Sequence, residues 1–213
     1  MSLSITWLAA LVTAAIPLLY ELVLWWTQRQ RPAHVARTAH ANLRAEWFAA
    51  VSSVPGSEIL AVQTLRNSLM SATMIASTAA IGLMGAASLV APSLHPPLEA
   101  GNLWLHITPR LAMELLLLAT LFASLVYSVM AVRYYNHAGF IVGMPVGSAQ
   151  RGVWAASGAV YVRRAGLLYG WGLRHLVLVA PMLGFIVHPL AGPVAAVMVV
   201  VALWGFDRLA PAH

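Results

Sequence analysis

The chain has 213 residues, 61% of them hydrophobic and only 8% charged, whereas charged residues make up about 25% of an ordinary soluble domain. That composition excludes a soluble domain and points to an integral membrane protein. The formal net charge of +6 rests on arginine, because all twelve basic side chains are Arg, and the absence of cysteine excludes disulfides, iron–sulfur clusters, thiolate zinc sites and covalent c-type haem.

A spanning helix needs roughly 20 mostly apolar residues, and residues 3–26 supply the first. The run has no basic residue before it and is longer than the apolar region of a signal peptide, so it is expected to remain as an anchor. No Arg precedes it, whereas Arg29, Arg31, Arg37 and Arg44 follow. The positive-inside rule then places the N-terminus outside and segment 27–66 in the cytoplasm. Within that segment Pro32 can open a helix with His34, Arg37, Ala41 and Arg44 on one face and Leu43, Trp47 and Val51 on another. Such an amphipathic helix lies at the cytoplasmic headgroups or packs against a neighbouring subunit. Arg37, His40 and Arg44 form its candidate basic surface.

Pro55-Gly56-Ser57 breaks this helix, and nothing stops the next one until Pro92. That length is on the order of 50 Å, against a hydrocarbon core of about 30 Å. Its first turns must project from the membrane, leaving 69–90 as the second span. Gln63-Thr64-Leu65-Arg66-Asn67-Ser68 runs into this span without a break. Gln63, Asn67, Ser71 and Thr78 fall near one stripe, and Ser68, Ala72, Ala76 and Ala80 form a second that permits close helix contact. The outer loop 91–110 contains Pro92, Pro96, Pro97 and Pro109 and is expected to be irregular; His95, Glu99 and His106 lie in it. The third span, 111–132, carries Glu114 near its outer end and Thr120, Ser124 and Ser128 at four-residue spacing, and exits through Arg133-Tyr134-Tyr135-Asn136-His137.

A fourth helix is expected from about 153 to 187, embedded over 165–187, with Gly166 and Gly170 in GxxxG spacing. Arg174 lies about 16 Å along the axis beyond Arg163, so it falls inside the membrane if Arg163 is at the headgroups. His188-Pro189-Leu190-Ala191-Gly192-Pro193 marks a turn, and 194–206 forms a short final span. The expected fold is all-α: a single polytopic domain over 1–213 with about five membrane-embedded helices plus a cytoplasmic amphipathic helix, four spans being the alternative. With five spans, Arg133, Arg151, Arg163 and Arg208 also fall on or near the cytoplasmic side. The expected location is the bacterial inner (cytoplasmic) membrane, multi-pass, with the C-terminus in the cytoplasm.

The pattern Arg37-x2-His40-x3-Arg44-x2-Trp47, followed by Gln63-Thr64-Leu65-Arg66-Asn67-Ser68-x-Met70 and Ala76-Ser77-Thr78, resembles the bacterial and plant membrane family designated domain of unknown function 599. Arg133-x-Tyr135-Asn136 leading to Gly143-x-Pro145, and Gly172-x-Arg174 leading to Pro181, extend the resemblance over nearly the whole chain. It implies a small helical membrane protein and transfers no activity, substrate or catalytic residue.

Three groups of residues are candidates for function. Gln63, Arg66, Asn67, Ser71 and Thr78 with Ser124 and Ser128 form a polar path, in which rings from several subunits replace part of an ion's hydration shell, or they join helices by hydrogen bonds. Glu21 and Arg174 are each costly in lipid, and a charge pair or shared cavity relieves that cost; the alternatives are a transport or gating role and, for Glu21, interfacial water near Trp26. His137 and His175 are candidate haem ligands, against a reading as hydrogen-bonded or interfacial histidines. No other metal site is expected. An intramembrane carboxylate dyad is not expected either, because Asp207 and Glu114 lie near span ends. No G-x-S-x-G, P-loop or dinucleotide fingerprint occurs, so no enzyme is indicated.

These features point to a homo-oligomeric channel or transporter for an ion or small solute. The alternative is an accessory or structural subunit that binds quinone, haem or lipid within a membrane complex, with Tyr134, Tyr135, Trp154 and Trp171 as amphipathic surfaces. Membrane lipids are the expected partners and nucleic acid is not, since the arginines follow the topology rule.

Overall fold

The apolar runs fold as helices because lipid offers no partner for backbone N–H and C=O groups, and a helix satisfies them within its own segment. The computed structural model describes residues 3–30, 36–99 and 107–207, with side chains described over 3–30, 39–94 and 107–207. The described residues form α1 (Leu3–Gln30), α2 (Ala36–Ser52), α3 (Glu58–Glu99), α4 (Pro109–Val142), α5 (Ala149–Val177), α6 (Val179–Val187) and α7 (Ala191–Asp207), with no strands among them. Four helical units are long and apolar enough to cross a membrane: Leu3–Gln30, Glu58–Leu94, Pro109–Val142 and Ala149–Val187. The apolar α7 has 17 residues and is shorter. The protein is an all-α polytopic membrane protein.

The central helix is α4, which packs along α3 on one side and α5 on the other and also touches α1 and α6. Ala61, Ala72 and Ala79 are fully buried on the inner face of α3, and such small side chains let helices approach closely. Between α4 and α5 the approach is closer still. The Ser124 hydroxyl donates to the Gly172 carbonyl at 2.7 Å, and a Cβ at Gly172 would stand 2.3 Å from Ser128 Oγ. One apolar cluster, including Phe48, Leu65, Tyr135 and Ile141, fills the end of the bundle that carries α2. A second, including Met113, Leu117, Met182 and Phe185, fills the other end and takes in Ala9 and Ala10 of α1.

Two expectations about helix boundaries are corrected. The segment after Pro92 is not irregular from 91 onward: α3 continues through Pro92, Pro96 and Pro97 to Glu99. Each proline frees only the carbonyl four residues back, and near a helix terminus that lies beyond the apolar run those carbonyls can reach water or headgroups. The remainder of the loop, including His106, and the side chains of His95 and Glu99 lie outside the described residues. The helix expected over 153–187 starts earlier, at Ala149 behind the Ser148 cap, and is interrupted at Leu178. Pro181 accounts for the interruption, since it has no N–H to offer the Val177 carbonyl. The amphipathic α2 also has a packing partner within the chain. It docks on α5 of its own chain, with Ala41 and Phe48 buried and the Phe48 ring filling the space where a Gly158 Cβ would stand, 2.3 Å away.

The turns are built for close returns. Gly56 and Gly147 each have φ of 84°, a left-handed conformation that glycine adopts without steric cost. At the α4–α5 turn the Val146 N–H donates to Glu58 Oε1 at 3.1 Å. The buried Arg151 guanidinium donates to the Val142 carbonyl at 3.1 Å and to the Met144 carbonyl. After α6, His188 is extended (φ −153°, ψ 128°), as expected for the residue ahead of Pro189. The chain then reverses into α7, which runs beside α1 in the same direction, with Gly192 against Thr13 and Asp207 against Tyr20.

Candidate functional site

Arg174 is the most deeply buried charged group facing the α1–α7 pair, 7% exposed near the end of α5. Its Nε donates to Glu21 Oε1 of α1, and its Nη1 and Nη2 each donate to Asp207 Oδ2 of α7 at 3.0 Å. The Tyr20 hydroxyl donates to the same Asp207 oxygen at 2.5 Å, and the Tyr20 ring lies 5.3 Å from the guanidinium carbon. Three helices distant in sequence therefore converge on one cation. The reason is electrostatic: a buried Arg left unpaired is costly, and charge-assisted hydrogen bonds to carboxylates offset the loss of water. Glu21 and Asp207 both contact Arg174, so the expected Glu21–Arg174 pair is one part of a larger charge cluster. With both carboxylates ionised, the cluster carries one negative charge more than Arg174 neutralises.

A cavity of about 330 Å³ opens beside this cluster, lined by Glu21, Leu22, Trp25, Trp171, Arg174, His175 and Leu178. The His175 Nδ1 lies 2.8 Å from the Trp171 carbonyl, and its ring centre is 5.1 Å from that of Tyr127. His137 instead sits 5.9 Å from the Tyr161 ring. Tyr161 and His175 are separated by about 21 Å along α5, so the structure does not bring the two histidines together as axial ligands. Among the described residues no group of three or more His, Asp or Glu side chains could hold a metal ion.

The residues of the sequence-derived polar path divide into two sets. Gln63, Arg66, Asn67, Ser71 and Thr78 are all exposed along one side of α3, opposite the buried Ala61, Leu65, Ala72 and Ala79. Ser71 and Thr78 donate back to the Asn67 and Met74 carbonyls of their own helix. Met70, Met74, Ile81 and Met84 share the outward side. Ser124 and Ser128, by contrast, are fully buried at the Gly172 crossing. A single chain thus has no continuous path through all seven residues. Its α3 turns a mixed Ser, Thr, Asn and Met face away from the bundle.

Of the candidate basic surface, His40 is exposed, while Arg44 is partly buried and turned toward Gly166 of α5. Arg44 is therefore corrected from a surface group to a lining group. The Arg37 side chain lies outside the described residues. The spaced pair Gly166 and Gly170 does not form one contact: Gly166 accommodates Arg44, and a Cβ at Gly170 would meet nothing within 4 Å. Tyr134 lies tilted against Tyr161, ring centres 5.7 Å apart, and Trp171 stacks near Tyr127, whereas Trp154 is exposed.

Sequence reasoning missed Asp207 and Tyr20 as partners of Arg174. The signal was present in the turn at 188–193: if it reverses the chain, the sole aspartate, which directly follows the last apolar run, returns to the level of Glu21.

Residues 8–212 match the family described as "Protein of unknown function, DUF599". No curated protein and no solved structure matches the chain.

Proposed function

Since the chain belongs to the DUF599 family, which brings an architecture and no activity, we propose from its geometry that it is a homo-oligomeric membrane protein conducting or transporting an ion or small solute, with the outward faces of α3 lining the path. The observation that carries this reading is the exposure of Gln63, Arg66, Asn67, Ser71 and Thr78 on one side of a spanning helix. Gln63, Arg66 and Asn67 stand at the mouth of the apolar run and Ser71 and Thr78 within it, and copies of the same face around an axis would present these groups together to a permeating solute. Arg66 favours anions at the mouth. The distribution of arginine supports an orientation in the bacterial inner membrane with the N-terminus outside and the C-terminus in the cytoplasm.

Purified protein in liposomes should conduct ions or take up solute, and Arg66→Ala or Asn67→Ala should change the selectivity. Vesicles that stay tight to a broad set of ions and small solutes would overturn the reading. One observation favours a second reading, an accessory subunit holding a quinone, haem or lipid: the cavity flanked by Trp25, Trp171 and His175 has the aromatic walls that a flat ring fits. A visible spectrum and an organic extract of the purified protein decide between them. A Soret band or a stoichiometric quinone supports the second reading, and a colourless oligomer free of such extractable ligand supports conduction.

A further inference from the structure

Arg44 leaves the axis of α2 and lays its guanidinium over Gly166 of α5, where a Cβ would stand 2.4 Å from Nη1 and 2.8 Å from Cδ. The absent side chain at Gly166 makes this seat. In it Arg44 has no hydrogen bond or ion pair with any described residue. That sets it apart from Arg174, Arg151 and Arg110, each of which has acceptors close by. A partly buried guanidinium keeps five donors in a planar fork, and those donors call for an acceptor.

The surroundings of Arg44 say which acceptor fits. It shares a polar cavity of about 120 Å³ with Ser68 and Ser71 of α3, Tyr135 of α4 and Tyr169 of α5. No carboxylate lines it, so the four hydroxyls and the guanidinium present donors with no competing negative charge. Ser68 and Ser71 bond to carbonyls of their own helix, and rotation about χ1 redirects them into the cavity. Through Arg44, Ser68 and Tyr135 this compartment adjoins a second of about 310 Å³, whose other walls include Leu43, Trp47, Leu65 and Val162. One compartment suits an oxyanion and the next suits hydrocarbon.

We propose that this paired cavity is a binding site for a phosphate group, with Arg44 and the hydroxyls of Ser68, Ser71, Tyr135 and Tyr169 on the phosphate oxygens and the Trp47 side holding an apolar tail. Arg and hydroxyl donors match phosphate geometry, and charge-assisted bonds of this kind are the strong ones. The apolar compartment selects the headgroup of an anionic phospholipid over free phosphate. The site shares Ser71 with the path proposed along α3, while Arg44, Ser68, Tyr135 and Tyr169 stand apart from that path.

The test uses the full-length chain, purified in neutral detergent, stripped of lipid, and titrated with short-chain phosphatidylglycerol and separately with inorganic phosphate while Trp fluorescence is followed. Wild type and Arg163→Gln, which removes an exposed arginine of equal charge whose hydrogen bond to Asn42 Oδ1 of α2 is long, at 3.4 Å, should both bind phosphatidylglycerol saturably. Arg44→Gln should weaken binding by about tenfold or more, the usual weight of a charge-assisted hydrogen bond, and Tyr135→Phe should weaken it less. Phosphatidylglycerol binding that inorganic phosphate does not displace identifies the headgroup as the ligand; displacement, with saturable binding of phosphate alone, identifies free phosphate at the same site. The proposal is overturned if wild type binds neither probe saturably, if Arg44→Gln binds as wild type does, or if Arg163→Gln loses as much affinity as Arg44→Gln. Should Arg44→Gln fail to fold, Tyr135→Phe and Ser68→Ala decide: weakened binding supports the site, and unchanged binding in both overturns it.

Discussion

Arg174 and Asp207 lie 33 positions apart in the chain, yet both terminal nitrogens of the arginine reach one carboxylate oxygen at 3.0 Å. This contact holds the end of α7 to α5, and the Glu21 contact holds α1 to the same point. Replacing the cation should therefore be worse than replacing one anion. Arg174→Met leaves Glu21 and Asp207 with no counter-charge, and breaking a buried pair in this way costs about 3–5 kcal/mol. Asp207→Asn keeps an acceptor for the arginine and leaves Glu21 as its counter-charge, so it should cost less. Thermal unfolding in detergent checks the order, and an Arg174→Met variant as stable as wild type would contradict it.

A paired prediction concerns the α4–α5 crossing. A methyl group at Gly172 would stand 2.3 Å from Ser128 Oγ, so Gly172→Ala should destabilise by about 1–3 kcal/mol, as overpacking does. The Ser128 hydroxyl has no hydrogen-bond partner, so Ser128→Ala should be close to neutral. Combining the two should recover much of the loss, giving a coupling energy that unfolding measurements on the four proteins can read.

The docking of α2 depends on a similar absence. The Phe48 ring stands 2.3 Å from where a Gly158 Cβ would be, and Phe48 is 1% exposed. Phe48→Ala should cost about 3–5 kcal/mol, and Gly158→Ala should push α2 off α5. In both variants limited proteolysis should cut within 31–57 faster than in wild type; unchanged cleavage in both would show that α2 is held elsewhere.

Much of this fold is legible in the sequence because lipid imposes a simple rule: the apolar runs must be helices, and each of the four long ones can be read from its length. Glu21 and Arg174 stand out for the same reason, as charges within apolar runs. Asp207 does not, since a carboxylate at the end of a run looks like an ordinary boundary until the direction of α7 is known. The seat of α2 is equally hidden, because its sockets are Gly158 and Gly166, and a glycine in a helix carries no sign of which side chain will cover it. The continuation of α3 past Pro92 went unread because proline weighs less near a helix end than in its interior. The outward polar face of α3 is visible as spacing in the sequence, but only packing tells which side of that helix the bundle leaves uncovered.

An exposed α3 face predicts self-association. The chain contains no cysteine, so single-cysteine variants need no background substitutions. Met74→Cys on the outward side should cross-link two copies in native membranes under mild oxidation, whereas Ala79→Cys, fully buried against α4, should not. A protein that remains monomeric in several mild detergents and in nanodiscs, with no Met74→Cys cross-link, would contradict an oligomer built on α3.

The most direct measurement combines labelling with flux. Asn67→Cys, exposed at the start of the apolar part of α3, is reconstituted in liposomes and treated with a membrane-impermeant thiol reagent during an ion or solute flux assay. If α3 lines the path, the cysteine reacts and flux falls sharply, while Ala72→Cys on the buried side neither reacts nor changes flux. Flux that continues unaltered after Asn67→Cys is fully labelled, or its absence before labelling in wild type and variant alike, would contradict the account.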